Sequence, residues 1–371
     1  MEFIHQRPDW PEFTWDYDAL AGRLAEVRYH QGLLLGRMKS LGFDLRAEAA
    51  LSTVTSDVIT SSAIEGESLD PEQVRSSVAR HLGLETGGQV FVGRDVEGIV
   101  EMMTNATRRY LEPLTAGRLF DWHAALFPAG RSGIHRITVG AWRTGERGPM
   151  QVLSGPMGRE KVHFQAPPAE RLPKEMARFL DWFNAEEQTD PILKAGIAHF
   201  WFVTIHPFDD GNGRIARAIA DMLLARADGS PDRFYSMSSQ IESERSDYYR
   251  QLEQQQRGAM DLTPWLEWFL GCLDRSFDRA GESQEHVLYK ARVRHAMSAF
   301  GAHDRQRTVV ERMMDNFEGY MNTSKYAKMA KCSPDTALRD IRDLLEHGIL
   351  FRNPGGGRST SYRLSSNAGG E

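Results

Sequence analysis

Cysteine is nearly missing from this 371-residue chain. The two present, Cys272 and Cys332, stand sixty residues apart, which excludes a disulfide framework and the close spacing of a zinc site. Long apolar runs are missing too: nothing approaches the ~20 residues a spanning helix needs. The opening Met1-Glu2-Phe3-Ile4-His5-Gln6-Arg7-Pro8 has no apolar signal core, so no membrane partner and a cytoplasmic location are the expectation. Nor is there a basic excess. With 45 Lys and Arg against 51 Asp and Glu the net charge is -6, which argues against a general binder of nucleic acid or anionic membrane and confines any basic surface to a local patch. No internal repeat or long low-complexity segment occurs. The length exceeds a usual single core, and three parts are expected, at 1–88, 89–280 and 281–371.

What the chain has is concentrated in His206-Pro207-Phe208-Asp209-Asp210-Gly211-Asn212-Gly213-Arg214-Ile215-Ala216-Arg217. The apolar run Ala195–Ile205 before it predicts a buried helix ending near His206. After it, Ile215, Ile219, Met222 and Leu223 recur with helical spacing, while Arg214, Arg217 and Asp221 mark another stripe of the same helix. Between the two helices, Asp210-Gly211-Asn212-Gly213 reads as a short loop whose glycines let backbone N–H groups approach a ligand. A helix N-terminus with free N–H donors attracts anions and repels cations. Two arginines in that first turn make sense if a polyphosphate sits between them and the loop, because guanidinium forks suit phosphate oxygens. The pattern is neither a complete calcium loop nor a Walker A loop.

This segment matches, at every defined position, the motif His-x-Phe-x-(Asp or Glu)-Gly-Asn-Gly-Arg-x-x-Arg, and the chain resembles the Fic family over roughly residues 90 to 275. The resemblance implies an all-helical core with a small β-hairpin flap, preceded by an N-terminal helical extension; with a C-terminal part that itself resembles a winged helix, the expected fold is mostly α. The resemblance also implies AMP transfer from ATP to a Ser, Thr or Tyr hydroxyl of a target protein. In that reading His206 is the general base and Asp210 the ligand of Mg²⁺. Gly211, Asn212 and Gly213 hold phosphate oxygens, Asn212 through its side-chain amide. Arg214 reaches the inner phosphates and Arg217 the γ-phosphate. Phe208 anchors the loop from the core. Gly213 stands where a kinase branch carries Lys, which places the chain with the AMP-transferring branch. Tyr249 is the candidate platform for adenine, and Gln256 departs from the Asn that several relatives place nearby.

A second motif lies far upstream. Leu51, Val54 and Val58 form a helical stripe that continues onto Ser61 and Glu65, with Gly66 as a stop. A carboxylate at a helix C-terminus faces the negative end of the dipole and needs a cation. Ser61-Ser62-Ala63-Ile64-Glu65-Gly66 resembles the family's inhibitory motif, which implies a Glu65–Arg217 pair that blocks the γ-phosphate site in cis.

Helical patterning is expected from Asp18 to Gly66, from Arg94 to Tyr110 and from Thr115 to Phe127, with Gly87, Gly88 and Gly93 in a loop. A hairpin is expected from Gln151-Val152-Leu153 through Gly155-Pro156-Met157-Gly158 to Val162-His163-Phe164; in the resembled family it registers the target segment. Helices at Arg305–Asn316, Thr323–Lys331 and Ser333–His347, then strands around Ile349–Arg352 and Ser361–Leu364 flanking Gly355-Gly356-Gly357, resemble a winged helix. Asp335, Asp340, Asp343 and Glu346 offset Arg339 and Arg342 on its second helix, so DNA binding is not favoured despite Arg352, Arg358 and Arg363. The implied partner is an unknown target protein, with a homodimer also considered. Two alternatives share the residues: a hydrolase that removes AMP using Glu65, and a nucleotide-sensing transcription regulator.

Overall fold

The computed structural model describes residues 3–84, 90–146, 148–154, 159, 161–186, 189–314, 317, 319–354 and 360–365; of residues 282–284 it describes the backbone alone. The expected features at Gly87, Gly88, Gly155-Pro156-Met157-Gly158, Asn316, Gly355-Gly356-Gly357 and Arg358 lie outside the described residues. The elements are α1 (Tyr17–Lys39), α2 (Phe43–Ile64), α3 (Pro71–Leu82), α4 (Arg94–Arg108), α5 (Ala116–Leu126), the ladder β1 (Arg131–Ser132) with β2 (His135–Arg136), and β3 (Gln151–Ser154) with β4 (Lys161–Gln165). There follow α6 (Leu172–Asn184), α7 (Pro191–Ile205), α8 (Asn212–Asp228), α9 (Met237–Ser243), α10 (Arg245–Gln256), α11 (Thr263–Ala299), α12 (Asp304–Met314), α13 (Thr323–Ala330), α14 (Pro334–Glu346), β5 (Leu350–Arg352) and β6 (Tyr362–Leu364). The fold is mostly helical, and every sheet among the described residues is a two-stranded antiparallel ladder.

The chain forms two compact units, 1–41 with 50–281, and 42–49 with 282–371. The sequence boundary at 88/89 therefore falls inside the first unit. At the centre of that unit lies α7, capped at its start by Asp190, whose side chain accepts from the Ile192 N–H at 2.8 Å, with Pro191 at the first helical position. Its apolar residues are buried on all sides because α7 runs between other helices rather than along the surface. Each large apolar side chain so buried contributes ~1.5–3 kcal/mol. Gly196 lets α11 come close: a Cβ there would stand 2.9 Å from Leu266 Cδ2, and the Trp265 indole donates to the Gly196 carbonyl at 2.8 Å. Against α7 packs α8, with Ile215, Ile219, Met222 and Leu223 all in the core.

The pattern expected to be helical from Asp18 to Gly66 is broken between Lys39 and Phe43, at Ser40-Leu41-Gly42. The second unit has its own core, in which Val309, Val310, Tyr326, Ala337, Ile341, Leu344 and Ile349 are buried. Its described elements run as three helices, α12 to α14, and then the antiparallel β5–β6 ladder. No helix among the described residues is long and apolar enough to cross a membrane.

Candidate functional site

The loop between α7 and α8 is shaped by residues that do no chemistry. His206 ends α7 in the left-handed region, at φ 52, a conformation few non-glycine residues adopt without support. That support comes from Arg143, itself buried, whose Nε donates to the His206 carbonyl at 2.8 Å and whose backbone N–H donates to the Pro207 carbonyl at 2.9 Å. A further Arg143 nitrogen donates to the carbonyl of Pro167, just past the hairpin strand β4. Phe208 is fully buried and stacks on His123, with ring centroids 4.2 Å apart and planes 7° apart. Burial pushes the His123 imidazole down to about 4. In the neutral ring, Nδ1 accepts from the Gly140 N–H and Nε2 donates to the Asp210 carbonyl at 3.2 Å.

The Asn212 side chain is engaged with the loop itself. Its side-chain oxygen accepts from the Phe208 N–H at 3.0 Å and its amide nitrogen donates to the Phe208 carbonyl at 2.9 Å. The side chain thus braces the loop, because a bend this tight leaves the Phe208 backbone without other partners. Gly211, at φ 79, turns the chain into α8.

The candidate site residues project from this frame. His206 Nδ1 lies 3.2 Å from the Val203 carbonyl. Donation there leaves Nε2 as an unprotonated acceptor. Burial lowers the His206 pKa to about 4, and the nearby Arg143 works in the same direction. Asp210 accepts from the Ser132 hydroxyl on the β1–β2 ladder and from the Gly211 N–H at 2.6 Å. Asp209 is held elsewhere, by the Thr138 N–H at 2.8 Å. Arg214 and Arg217 are buried at 4% and 2% exposure, and Arg214 Nε and Arg217 Nη1 have no hydrogen-bond partner. A buried guanidinium N–H without an acceptor costs about 1–3 kcal/mol or more, so these two donors mark a place made for an anion.

Carboxylates from the end of α2 occupy part of that place. Arg217 donates from Nε to the Ser61 hydroxyl at 2.9 Å, and from Nη2 to the Ser61 carbonyl and to Glu65 Oε1, both at 2.8 Å. Glu65 fits because residue 213 has no side chain: a Cβ on Gly213 would lie 2.1 Å from Glu65 Oε1. The sequence reading missed a second acid, Glu67, whose Oε2 accepts from Arg214 Nη1 at 2.5 Å. Burial, followed by the nearby Asp210 and Glu65 charges, raises the Glu67 pKa above its usual value, although Arg214 opposes the shift. Gly66 at φ 84 makes this double contact geometrically available. The chain turns back there, with the Glu67 N–H donating to the Ser62 carbonyl at 3.0 Å. Helix α2 is held against α9 by contacts of Ser56 and Thr60 with the Ser239 hydroxyl at 3.1 and 3.2 Å, and by Asp57 accepting from Ser236.

On α10, Tyr248 is buried and contacts His199 Nε2 at 2.9 Å through its hydroxyl. Tyr249 is 40% exposed and donates to the Ile64 carbonyl at 3.3 Å, next to Glu65. One turn further, Glu253 Oε2 lies 2.7 Å from His163 Nδ1 on β4 and so holds the hairpin to α10. Val152, Leu153 and Val162 of that hairpin point outward. Arg143, Ser132 and His123 carry no local signal, since each meets the 206–210 segment from more than sixty positions away. Only the acid directly after the Glu65-Gly66 pair could have been flagged.

A helical core that concentrates its polar chemistry in one loop-to-helix junction, flanked by an edge hairpin, defines the class. Residues 113–224 match the model of the Fic/DOC family, and residues 3–84 match a domain of unknown function, DUF4172. Similar proteins include the protein adenylyltransferase Fic of Nematostella vectensis, 29% identical over 224 residues, covering 59% of this chain and 46% of that one. Another is the protein adenylyltransferase fic-1 of Caenorhabditis elegans, 27% identical over 220 residues, covering 58% and 39%. The chain thus spans less than half the length of these curated relatives. Among solved structures, a Fic family protein from Desulfovibrio desulfuricans aligns with a TM-score of 0.53 at 24% identity, covering 96% of this chain and 98% of that one. A Fic-domain signalling protein from Bacteroides thetaiotaomicron aligns with a TM-score of 0.52 at 21% identity, covering 70% and 98%. These two likenesses bear on the fold.

Proposed function

We propose that the chain transfers AMP from ATP to a hydroxyl of a target protein and that Glu65 holds this activity down in cis. One observation carries the reading: two buried arginines, each with a partnerless N–H, flank a helix start beside a neutral imidazole. The triphosphate lies along α8's first turn, where backbone N–H groups and the two guanidiniums meet its charge. The incoming hydroxyl oxygen bonds to the α-phosphorus while its proton passes to His206 Nε2. The bond from that phosphorus to the β-phosphate bridging oxygen breaks, and pyrophosphate leaves.

Asp210 fits a magnesium ion that arrives with ATP, because Mg²⁺ takes one or two carboxylates and fills its shell with phosphate oxygens and water. No cluster of three or more acidic, His or Cys side chains that could hold a metal unaided occurs among the described residues. When bound, the ion offsets charge on the phosphates. Release of Asp210 from the Ser132 hydroxyl exposes the carboxylate to it.

Glu65 occupies the guanidinium meant for the γ-phosphate, so ATP binds weakly or in an unproductive pose. The test is transfer of label from α-labelled ATP to a protein lysate. Glu65→Gly should label strongly, the parent weakly and Glu65→Gly with His206→Ala not at all. Equal labelling by Glu65→Gly and the parent sinks the inhibitory assignment. Label surviving the loss of His206 sinks the base.

A second reading runs the same site in reverse, with Glu65 orienting a water that displaces AMP from a modified hydroxyl. It is supported by the Glu65 charge lying near enough to His206 to raise its pKa against the lowering by burial. AMP released by the parent chain from a labelled protein, and not by Glu65→Gly, selects it.

A further inference from the structure

The second unit carries an element that AMP transfer does not use. Between residues 320 and 365 the sequence holds eight Lys and Arg against four Asp and Glu, a local excess of four positive charges in a chain of net charge -6. All four acids lie on α14, and the side-chain contacts decide which of them face outward. Asp340 is buried, accepts from Arg305 Nε and Nη2 at 2.7 and 2.8 Å, and meets the Tyr326 hydroxyl at 3.3 Å. Asp343 accepts from the Gln306 side chain at 2.7 Å and lies 3.3 Å from His347 Nδ1. Two of the four acids therefore serve the contact between α12 and α14. Asp335 and Glu346 remain exposed, one at each end of the helix.

Arg339 and Arg342 are exposed in the middle of the outward face, with the Asp343 side chain, 40% exposed, at its edge toward α12. They share the stripe 335, 339, 342, 346, whose steps of four, three and four keep one helix face. Lys331 turns the chain from α13 into α14 at φ 51, and the Ser333 side chain caps α14 by accepting from the Thr336 N–H at 3.2 Å. This three-residue turn, 331–333, is that of a helix-turn-helix. Lys328 and Lys331 are exposed on the approach to it, and Arg352 and Arg363 on the β5–β6 ladder. None of these six cations enters a hydrogen bond or ion pair among the described residues.

We propose that this face binds the phosphate backbone of duplex DNA, with α14 in the major groove and the β5–β6 ladder along the adjacent strand. A helix presenting two arginines from its centre, flanked by lysines at its lead-in and by Arg363 beside exposed Phe351 on one side of a two-stranded ribbon, matches groove entry with phosphate contacts on both sides. Single-stranded nucleic acid is the poorer fit, because it calls for a row of aromatic platforms and the ladder offers only Phe351 to solvent. The inference is independent of the AMP-transfer reading.

The test titrates the full chain into a labelled mixed-sequence duplex, followed by anisotropy at several salt concentrations. Contact with four to six phosphates gives a slope of log affinity against log salt of about -4 to -5. Arg339→Glu with Arg342→Glu should weaken binding more than about tenfold and reduce the slope by about two. Asp335→Asn with Glu346→Gln, which removes the outward acids, should tighten it. Unchanged far-UV circular dichroism and AMP transfer in each variant show that the change is local. No binding at low salt, binding indifferent to salt or to both variant pairs, or equal affinity for a single strand or an RNA hairpin each overturns the proposal.

Discussion

The proposed base, His206, owes its protonation state to where it sits. An exposed imidazole titrates near 6.5, whereas burial and Arg143 bring this one to about 4. Because the folded value lies below the unfolded one, the ring's contribution to stability is complete above about pH 6.5 and is lost as pH falls toward 4. The same sign governs rate: the proton-accepting form persists until pH nears 4. In Glu65→Gly, kcat/KM for AMP transfer should stay flat from neutral pH down and bend only in the acid range, since removing a nearby anion lowers the pKa further. A bend near 6.5 would show His206 to be solvated in the free enzyme. Glu67 gives a second residue-scale prediction. Its contact with Arg214 is nearly half exposed, at 46%, so solvent limits it to ~1 kcal/mol, or roughly fivefold. Glu67→Gln should raise AMP transfer by up to that factor alone and again on top of Glu65→Gly, read as initial rates with α-labelled ATP. No change in either background would mean that Arg214 yields to phosphate regardless. The segment from His206 to Arg217 was legible as a motif because its parts are contiguous. The contacts of the Asn212 amide with the backbone groups of Phe208 were not legible, since backbone geometry is not written in residue identity. Arg143, His123 and Ser132 were invisible for a related reason: each meets the loop only once the chain has folded.

At the scale of elements, the turn that ends α2 decides where both acids point. Gly66 takes a positive φ with open space around it, so an added methyl meets no neighbour and costs only the backbone strain, ~1 kcal/mol. Gly66→Ala should therefore loosen the plug without damaging the core. Basal AMP transfer should rise several-fold while the melting temperature moves little; a fall in activity with an unchanged melt would contradict the role of this turn. The sequence showed this terminus because a polar end to an apolar stripe followed by glycine is a local signal. It showed α7 and α8 for the same reason, through an uninterrupted apolar run and a clean stripe. Other elements were hidden. Helix α3 follows Asp70-Pro71, whose side chain caps the Glu72 and Gln73 N–H groups, yet its twelve residues carry too few large apolar side chains to stand out. The 37-residue α11 contributes to both compact units, so its apolar face changes along its length and no single period describes it. The β1–β2 ladder is two residues a side, too short for any alternation.

The whole molecule is two cores in one chain, and each is closed by its own residues. The second contains no residue of the His206–Arg217 loop or of the Ser61–Glu67 segment. A defect confined to it should therefore cost stability there and leave AMP transfer intact. Ile341 is the place to make one: it is fully buried on the inward face of α14, in a cluster with Val309, Tyr326 and Leu344. Truncation to alanine removes three carbons from a packed site, for which losses of about 2–5 kcal/mol are usual. Ile341→Ala should accordingly lower the unfolding midpoint of one cooperative transition in urea, followed by circular dichroism, with the other transition in place. Labelling by Ile341→Ala in the Glu65→Gly background should match that of Glu65→Gly alone, while binding to duplex DNA should weaken because Arg339 and Arg342 ride on the same helix. Labelling that falls in step with the lost stability would show that the two cores fold as one cooperative block.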